Sequence, residues 1–427
     1  MLDIELIRRE PDRVRAALLK RMDAVDLESI LELDRQRRAL VTEQGELRAR
    51  RNTVSQQIGM GKRTGEDTSA AEAEATAIRD RVGAIEADLA KVEAELQALL
   101  DVLPNMPLDR VVPGGKEANE VVKVWGEPPK LGAKPLDHVE MAKRLGLVDF
   151  ERGAKLGGAG FWLYTGVGAQ LEWALLDFFC REHVKDGYTM LLPPHLLLEQ
   201  CGYAAGQFPK FRDDVFHLSK ESADRGLFLL PTAETAILNV YRDEILEGEQ
   251  LPIKAFAYTP CYRREAGSYR SDERGTVRGH QFNKVEMFQF VRPEDGEAAL
   301  AELVGKTERL VEQLGLHYRT SLLSAGDASA SMAVTYDVEV WIPSMGIYKE
   351  VSSASYAGDY QARRANIRYR PEPKGKPRHL HTLNASGLAT SRVLPALLEQ
   401  CQQEDGSLRV PEPLRAWVGT DVIRPRG

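Results

Sequence analysis

Apolar residues recur in alternating steps of four and three along two stretches near the start of the chain, and that spacing decides what those stretches become. The first seam runs Leu33, Arg37, Leu40, Gln44, Leu47, Arg51, Val54 and Ile58. The second runs Ile78, Val82, Ile85, Leu89, Val92, Leu96 and Leu99. Such alternation is the heptad repeat of a coiled coil. No proline interrupts it between Leu27 and Leu100, and the segment Gly59 to Ser69, GMGKRTGEDTS, has the composition of a turn. An antiparallel helical hairpin is therefore expected over about residues 27–100, inside an N-terminal unit of residues 1–102. Two helices of about 30 residues each reach roughly 45 Å, so the arm is expected to project from the compact domain that follows.

Charge is segregated along this arm. Arg35, Arg37, Arg38, Arg48, Arg50 and Arg51 lie on the first helix, with Lys62 and Arg63 near the turn; Glu72, Glu74, Asp80, Glu86, Asp88, Glu93 and Glu95 lie on the second. Pairing between the helices accounts for the pattern. So does an arginine face for a polyanion such as RNA. Arg37 and Arg51 stand on the seam but can snorkel out of it, so they do not choose between the two.

Beyond the heptads the composition changes. Residues 103–134 hold Pro104, Pro107, Pro113, Pro128 and Pro129, which forbid a long helix and mark a linker. Residues 135–427 mix amphipathic helices, around Gly168 to Lys185 and Asp295 to Leu314, with β-rich runs. VKVW within the linker, then FAYTPCYRRE, KVEMFQFV, AVTYDVEVWI and IYKEVSSAS, read as strands. Strands that follow one another, rather than alternating singly with helices, point to an α+β fold with an antiparallel sheet.

Several classes are disfavoured at this level. No apolar run approaches the ~18–20 residues of a membrane span. The opening MLDIELIRREPDRVRAALLKR is cut by charges and lacks a signal-peptide core. Cys180, Cys201, Cys261 and Cys401 are scattered, without zinc spacing, so zinc is not expected and the thiols suit a reducing compartment. A net charge of −7 argues against nucleic-acid binding by global charge, but not by a local patch. A soluble cytoplasmic protein is the expectation.

Chemistry concentrates in the β-rich runs. There is no GxxxxGK[ST] and no GxGxxG, so a nucleotide would not sit in a glycine cradle. Arg263, Arg264 and Glu265 occur in CYRREAG; Arg278, His280, Phe282 and Glu286 occur in VRGHQFNKVEMFQF. On one strand Arg263 and Glu265 share a face. Arginine can hold phosphate bidentately, and an aromatic face can hold a base. Ion pairing along an exposed strand would use the same residues.

The order of the motifs adds what single residues cannot. FAYTPCYRREAG followed by RGHQFNKVE resembles motif 2 of class II aminoacyl-tRNA synthetases. HTLNASGLATSR before an apolar helix resembles their motif 3. The helix Leu171 to Asp186 leading into TMLLPPHLL resembles motif 1, the dimer-forming element. LPTAET, YDVEVWIPS, YKEVSS and DGSLRVPEPLR complete the likeness. Over essentially its whole length the chain resembles the bacterial-type seryl-tRNA synthetases. The implied architecture is a coiled-coil arm followed by a class II catalytic domain, a central antiparallel sheet flanked by helices, over residues 135–427.

The resemblance implies roles. Thr232, Ala233 and Glu234 bind the α-amino group of serine, although a helix cap alone would also place a threonine before an acid. Glu286 meets the serine hydroxyl or amine, and Asn384 and Ser386 recognise the hydroxyl side chain; a site built to bond a hydroxyl rejects analogues lacking it. Arg263 clamps the α-phosphate and the attacking carboxylate. Arg264, Glu265, Arg278, Gly279, Phe282, Glu350, Val351, Ser352, Ser353 and Arg392 complete the ATP site. Within it, Glu265 accepts from the adenine amino group, Phe282 and Arg392 cover its two faces, and Arg278 reaches the outer phosphates. Glu350 and Ser353 hold Mg²⁺. The implied catalytic residues are Arg263, Glu286, Glu350 and Arg392. Arg35, Arg38, Arg48 and Arg50 are the implied tRNA contacts. L-serine, ATP, tRNA(Ser), tRNA(Sec) and a second copy of the chain are the implied partners. A ligase that passes its adenylate to a carrier protein, or a non-catalytic RNA-binding relative, is the alternative. The arm weighs against the first and the intact clamp residues against the second.

Some positions depart from the family pattern. Ala385 and Ser391 stand where glycine is common. Ala354, Ser355 and Tyr356 follow KEVSS where CSN is usual, Gly279 replaces a larger apolar residue before HQF, and CGYAAGQ replaces an EGT-like stretch. These changes are expected close to the serine and ATP pocket. They would mark a specialised copy, one that resists a seryl-adenylate mimic or that supplies a biosynthetic pathway.

Overall fold

The computed structural model describes residues 1–132, 134–219, 226–265 and 274–425. Two compact units divide at Pro104 and Asn105. Residues 266–273, the first eight of the stretch AGSYRSDERG that follows CYRRE in motif 2, lie outside the described residues.

The first unit is dominated by two helices packed on each other, α1 (Glu28–Thr64) and α2 (Ser69–Val102). Val54, Ile78 and Val82 form a buried cluster flanked by Leu47, Ile58, Ala71 and Ala75, so the heptad seam is the contact. The seam position Arg51 is exposed. The turn is shorter than its composition implied. Gly59 and Gly61 stay helical, and α1 runs on to Thr64 before Gly65 turns the chain in a left-handed conformation, φ 78°. Gly61 is required by closeness: a Cβ there would lie 2.7 Å from the Thr68 methyl. Asp34 is fully buried on α1 beneath Arg8 (3.0 Å), Arg37 (3.3 Å) and Arg38 (2.9 Å).

The second unit is built on an eight-stranded sheet. Its strands are β1 (Glu120–Trp125), β2 (Thr189–Leu191), β3 (Ile253–Tyr262), β4 (Gln281–Val291), β5 (Tyr318–Leu322), β6 (Val334–Ile342), β7 (Ile347–Gly358) and β8 (His381–Ala389). The spatial order is β1-β5-β6-β7-β8-β4-β3-β2, antiparallel throughout except for the parallel pair β3 and β2. β1 falls inside the stretch read as a linker. Asn105, at its start, donates to the carbonyls of Ser331 (2.9 Å) and Ala357 (2.7 Å). β2, β5 and β8 were not among the strands expected; β8 carries Asn384 and Gly387, residue types depleted in strands.

Helices α3 (Val167–Lys185), α4 (Ala233–Leu238), α5 (Gly296–Gln313) and α6 (Thr390–Gln400) divide between the two faces of the sheet. One large core joins Leu171, Leu175, Leu303 and Leu397 from α3, α5 and α6 to Met287, Val338, Val351, Leu383 and Ala385 of the sheet. On the opposite face Ala233 and Ile237 of α4 pack on Ala255, Ala257 and Phe288. Where that face is not covered by α4 it lies open as a cavity. Among the described residues no helix is long and apolar enough to cross a membrane.

Candidate active site

Strand alternation carries polar side chains to the open face. Phe282, Lys284 and Glu286 of β4 line the cavity, as do Asn384 and Ser386 of β8, while the residues between them enter the core. Two β-bulges adjust this pattern. On β7 Val351 is the extra residue, since Glu350 pairs with Glu339 and Ser352 with Val338; this brings Glu350 and Ser353, three apart in sequence, onto one face. On β8 a shift between Ser386 and Ala389 does the same. Past the end of β3, Arg263 keeps the parity of Cys261, and its backbone N–H donates to the His280 carbonyl at 2.9 Å. Arg263 and Glu265 therefore lie beyond the strand on which they were expected. Both still reach the cavity, Glu265 through a left-handed φ of 52°.

The cavity measures about 510 Å³ and has two chemically distinct ends. At one end Glu286 accepts from Asn384 Nδ2 (2.9 Å) and lies 3.5 Å from the hydroxyls of Thr232 and Ser386. Lys284, almost fully buried, forms an ion pair with Glu286 and donates to Thr232 Oγ1 at 2.8 Å. Glu234 receives Gln361 Nε2 at 2.7 Å and Asn384 Nδ2 at 3.4 Å. Burial first, and the charge of Glu286 second, push the Glu234 carboxyl up to about 7, against Gln361, Lys284 and Arg263. Asn384 Oδ1 is buried without a hydrogen-bond partner among the described residues, so this end offers an unused acceptor.

At the other end Glu350 is ion-paired with Arg392 (3.0 Å), and Arg278 with Glu265. Burial raises the Glu350 carboxyl, but Arg392 and Arg263 outweigh it and hold the group below its ordinary range. Ser353 donates to Asp337 Oδ1 at 2.6 Å; burial and then Glu350 push Asp337 well above the usual carboxylate range. The carboxylate of Glu350 and the hydroxyl of Ser353 are hard oxygen donors on one wall, a set that suits Mg²⁺ completed by phosphate oxygens and water. Arg263 links the ends: its charge bears on both Glu234 and Glu350, its Nε donates to the Pro231 carbonyl (3.2 Å), and its guanidinium lies 5.2 Å from the Phe282 ring centre.

Not every expected side chain joins this arrangement. Ala233 is buried under the sheet in α4. Val351 is in the core, Ser352 is buried off the cavity, and Arg264 turns to the Asp213 carbonyl at 3.1 Å. Arg35, Arg38, Arg48 and Arg50 belong to the other unit and pair with Glu32, Asp34, Glu86 and Glu74.

The departures from the family pattern divide by face. Ala354, Tyr356 and Ala385 were expected to reshape the pocket. Their side chains instead enter the core on the far side of the sheet, and the Tyr356 hydroxyl meets the His381 ring beside Gly296 at the start of α5. A methyl at 385 points away from the cavity because its neighbours Asn384 and Ser386 point in. Gly279 and Ser391 do line it. A Cβ on Gly279 would collide with the Trp162 indole, so the missing side chain is replaced in space by Trp162. Lys284 was missed by sequence reasoning, although its position two residues before Glu286 on a strand was a signal for it.

Residues 216–401 match the tRNA synthetase class II core domain (G, H, P, S and T), and residues 1–107 match the seryl-tRNA synthetase N-terminal domain. A serine–tRNA ligase 2 of Clostridium acetobutylicum is 55% identical over 99% of this chain and 100% of its own length. A serine–tRNA ligase of Geobacillus kaustophilus is 46% identical over 99% and 100%. The crystal structure of seryl-tRNA synthetase from Pyrococcus horikoshii complexed with ATP superposes with a TM-score of 0.93, at 33% identity and full coverage of both chains.

Proposed function

The chain belongs to the seryl-tRNA synthetase family, and from that premise we infer that its cavity joins L-serine to ATP and hands the seryl group to tRNA. It is a serine–tRNA ligase. The observation that carries the inference is a single cavity in which Arg263 stands between a carboxylate-rich end and a phosphate-fitting end.

In the first step serine enters the end lined by Glu234 and Glu286. Its α-ammonium is received by those carboxylates, and its hydroxyl by Asn384 and Ser386. Asn384 Oδ1, which no group among the described residues reaches, gains a donor from such a ligand. The serine carboxylate and the α-phosphate of ATP share Arg263. A carboxylate oxygen attacks the α-phosphorus in line, the P–O bond to the β-phosphate breaks, and pyrophosphate leaves. Seryl-adenylate remains. Arg263 binds more strongly as charge develops on the phosphorus oxygens, and Arg278 neutralises the leaving phosphates. Mg²⁺ bound by Glu350 and Ser353 would supply charge neutralisation there as well. In the second step a hydroxyl of the terminal tRNA ribose attacks the seryl carbonyl carbon, its proton passes to a phosphate oxygen of the departing AMP, and AMP leaves with the acyl-oxygen electron pair. No protein nucleophile is needed, because positioning does the work.

For the adenine, Phe282 and Arg392 are the proposed stacking pair. Arg263 lies over the Phe282 ring, so that guanidinium moves as the nucleotide enters. On the arm, the pairs that hold Arg48 and Arg50 are half exposed and therefore weak, which leaves phosphate able to compete for those arginines; Arg35 and Arg38 are proposed on the same ground. Trp173 and Val184 on α3, with Met190 and Leu192 at the sheet edge, leave an exposed apolar strip that a second copy of the chain would cover. The reaction belongs in the cytoplasm, where tRNA and ATP are found. A specialised second copy is the finer reading, and Gly279 and Ser391 are its remaining support in the cavity. Inhibition by a non-hydrolysable seryl-adenylate analogue equal to that of an ordinary family member would remove its resistance form.

Serine-dependent exchange of pyrophosphate into ATP, followed by charging of total tRNA, tests the function. Exchange with serine but no charging would favour the carrier-protein alternative; absence of exchange would refute ligation altogether.

A further inference from the structure

Lys284 has no part in the reaction as derived above, yet it is one of the least exposed lysines of the chain. Only 6% of its surface is accessible, and its ammonium opens onto the amino-acid end of the cavity. A lysine this deep is costly unless paired. Here it is paired twice, by the ion pair with Glu286 and by the 2.8 Å hydrogen bond to Thr232 Oγ1. Thr232 Oγ1 accepts from this lysine, so its own proton is directed elsewhere, and Glu286 Oε2 stands 3.5 Å away. The lysine thereby orients the threonine hydroxyl as well as balancing the acid.

The charges at this end of the cavity require a cation. The amino-acid end holds Glu234 from α4 and Glu286 from β4. Facing them are Lys284 from β4, Arg263 beyond β3 and the buried thiol of Cys261 on β3; Asn384, Gln361 and Ser386 are neutral. With both acids ionised, the two cations bring the site to zero, and a zwitterionic amino acid then enters without net change. Without Lys284, two carboxylates would share one buried pocket with Arg263 alone, and like charges so placed resist ionising together.

We propose that Lys284 is a positioning residue for serine recognition: its ammonium is the internal counter-ion of the Glu234–Glu286 pair and keeps both carboxylates ionised toward an incoming α-ammonium. This rests on the assignment of that end of the cavity to serine. It predicts that Lys284 acts on serine through the protonation of the pocket and leaves ATP recognition alone. The charge of Lys284 is one of the influences holding Glu234 down near neutrality, so its loss moves that titration upward.

The test is the serine KM in ATP–pyrophosphate exchange from pH 6 to 9 for the full-length protein, Lys284→Met and Lys284→Gln. In the unaltered protein the KM falls as pH rises and levels off with a midpoint near 7. In both neutral variants the midpoint is expected to move up by at least one pH unit. The serine KM at pH 7 rises at least about fivefold, and the ATP KM stays within twofold. Lys284→Arg keeps the charge and is expected to keep the midpoint. An unmoved midpoint in whichever neutral variant still shows a normal ATP KM overturns the role, whether or not the serine KM changes, because a purely structural lysine would weaken binding equally at every pH. If neither neutral variant folds, a serine KM in the unaltered protein that is level from pH 6 to 9 overturns it, and a step near 7 supports it. Absence of exchange in the unaltered protein would refute the serine-site assignment instead, so the two failures are distinguishable.

Discussion

At the scale of single residues, Glu234 is where pH should enter the chemistry. Its carboxyl titrates at about 7 because it is buried and faces Glu286. On the proposed serine assignment, it is neutral below that pH and attracts the serine ammonium weakly; above it the ammonium meets two anions. The serine KM is therefore expected to fall by up to about tenfold per pH unit below 7 and to flatten above it. Glu234→Gln should abolish that step while raising the KM at pH 8, which initial rates across the range will show. Steepness that survives in E234Q would place the titrating group elsewhere. The departures from the family pattern make a contrasting case. Tyr356→Asn removes a ring packed under α5 and should cost roughly 2–4 kcal/mol by analogy with large-to-small core changes, read by denaturant melting. It should shift the serine KM less than twofold, because the side chain is on the far face. Gly279→Val should lower exchange activity, because its side chain and the Trp162 ring need the same space beside Arg278.

At the scale of elements, legibility followed period. The arm was readable because heptad spacing survives the polar intruders at Arg37, Gln44 and Arg51. Only the turn was misplaced, since two glycines inside a long helix cost too little to end it. The central strands β3, β4, β6 and β7 were readable from β-branched and aromatic runs. β8 was not, because its site-facing positions are Asn and Ser for reasons of chemistry. The cavity itself was legible only through the motif likeness. No local pattern reveals that a bulge at Val351 turns Glu350 and Ser353 to one side, or that Ala385 looks away from the pocket. The same scale holds an unexpected acid. Asp34 lies under Arg8, Arg37 and Arg38, and although burial raises its carboxyl, those arginines hold it below its ordinary value. A depressed carboxylate stabilises fully above its unfolded value and loses that contribution as pH falls through the folded one. Asp34→Ala should weaken the base of the arm by about 1.5–3 kcal/mol at pH 7, the range for hydrogen bonds to a charged group. Amide exchange over residues 28–45 of the full-length protein will measure this. Protection equal to the unaltered chain would mean that the three guanidiniums are satisfied by water.

At the scale of the whole molecule, the proposed roles divide the labour between the two units: activation of serine needs only the cavity, and transfer needs RNA held by the arm as well. Arginines of the arm should therefore affect the second step alone. Arg51 and Arg63 are exposed and have no carboxylate partner among the described residues, unlike Arg35, Arg38, Arg48 and Arg50. An unpaired guanidinium gives up no internal partner on meeting phosphate, so these two should contribute more to RNA affinity than the paired four. Arg51→Ala with Arg63→Ala should raise the tRNA KM in charging. It should also reduce the slope of log affinity against log salt by about 0.9 for each phosphate that is no longer neutralised. Serine-dependent exchange should be unchanged, because that reaction requires no RNA. Loss of exchange in parallel with charging would mean that the substitutions reach the cavity; an unchanged salt slope would mean that the RNA is held by a different face of the arm.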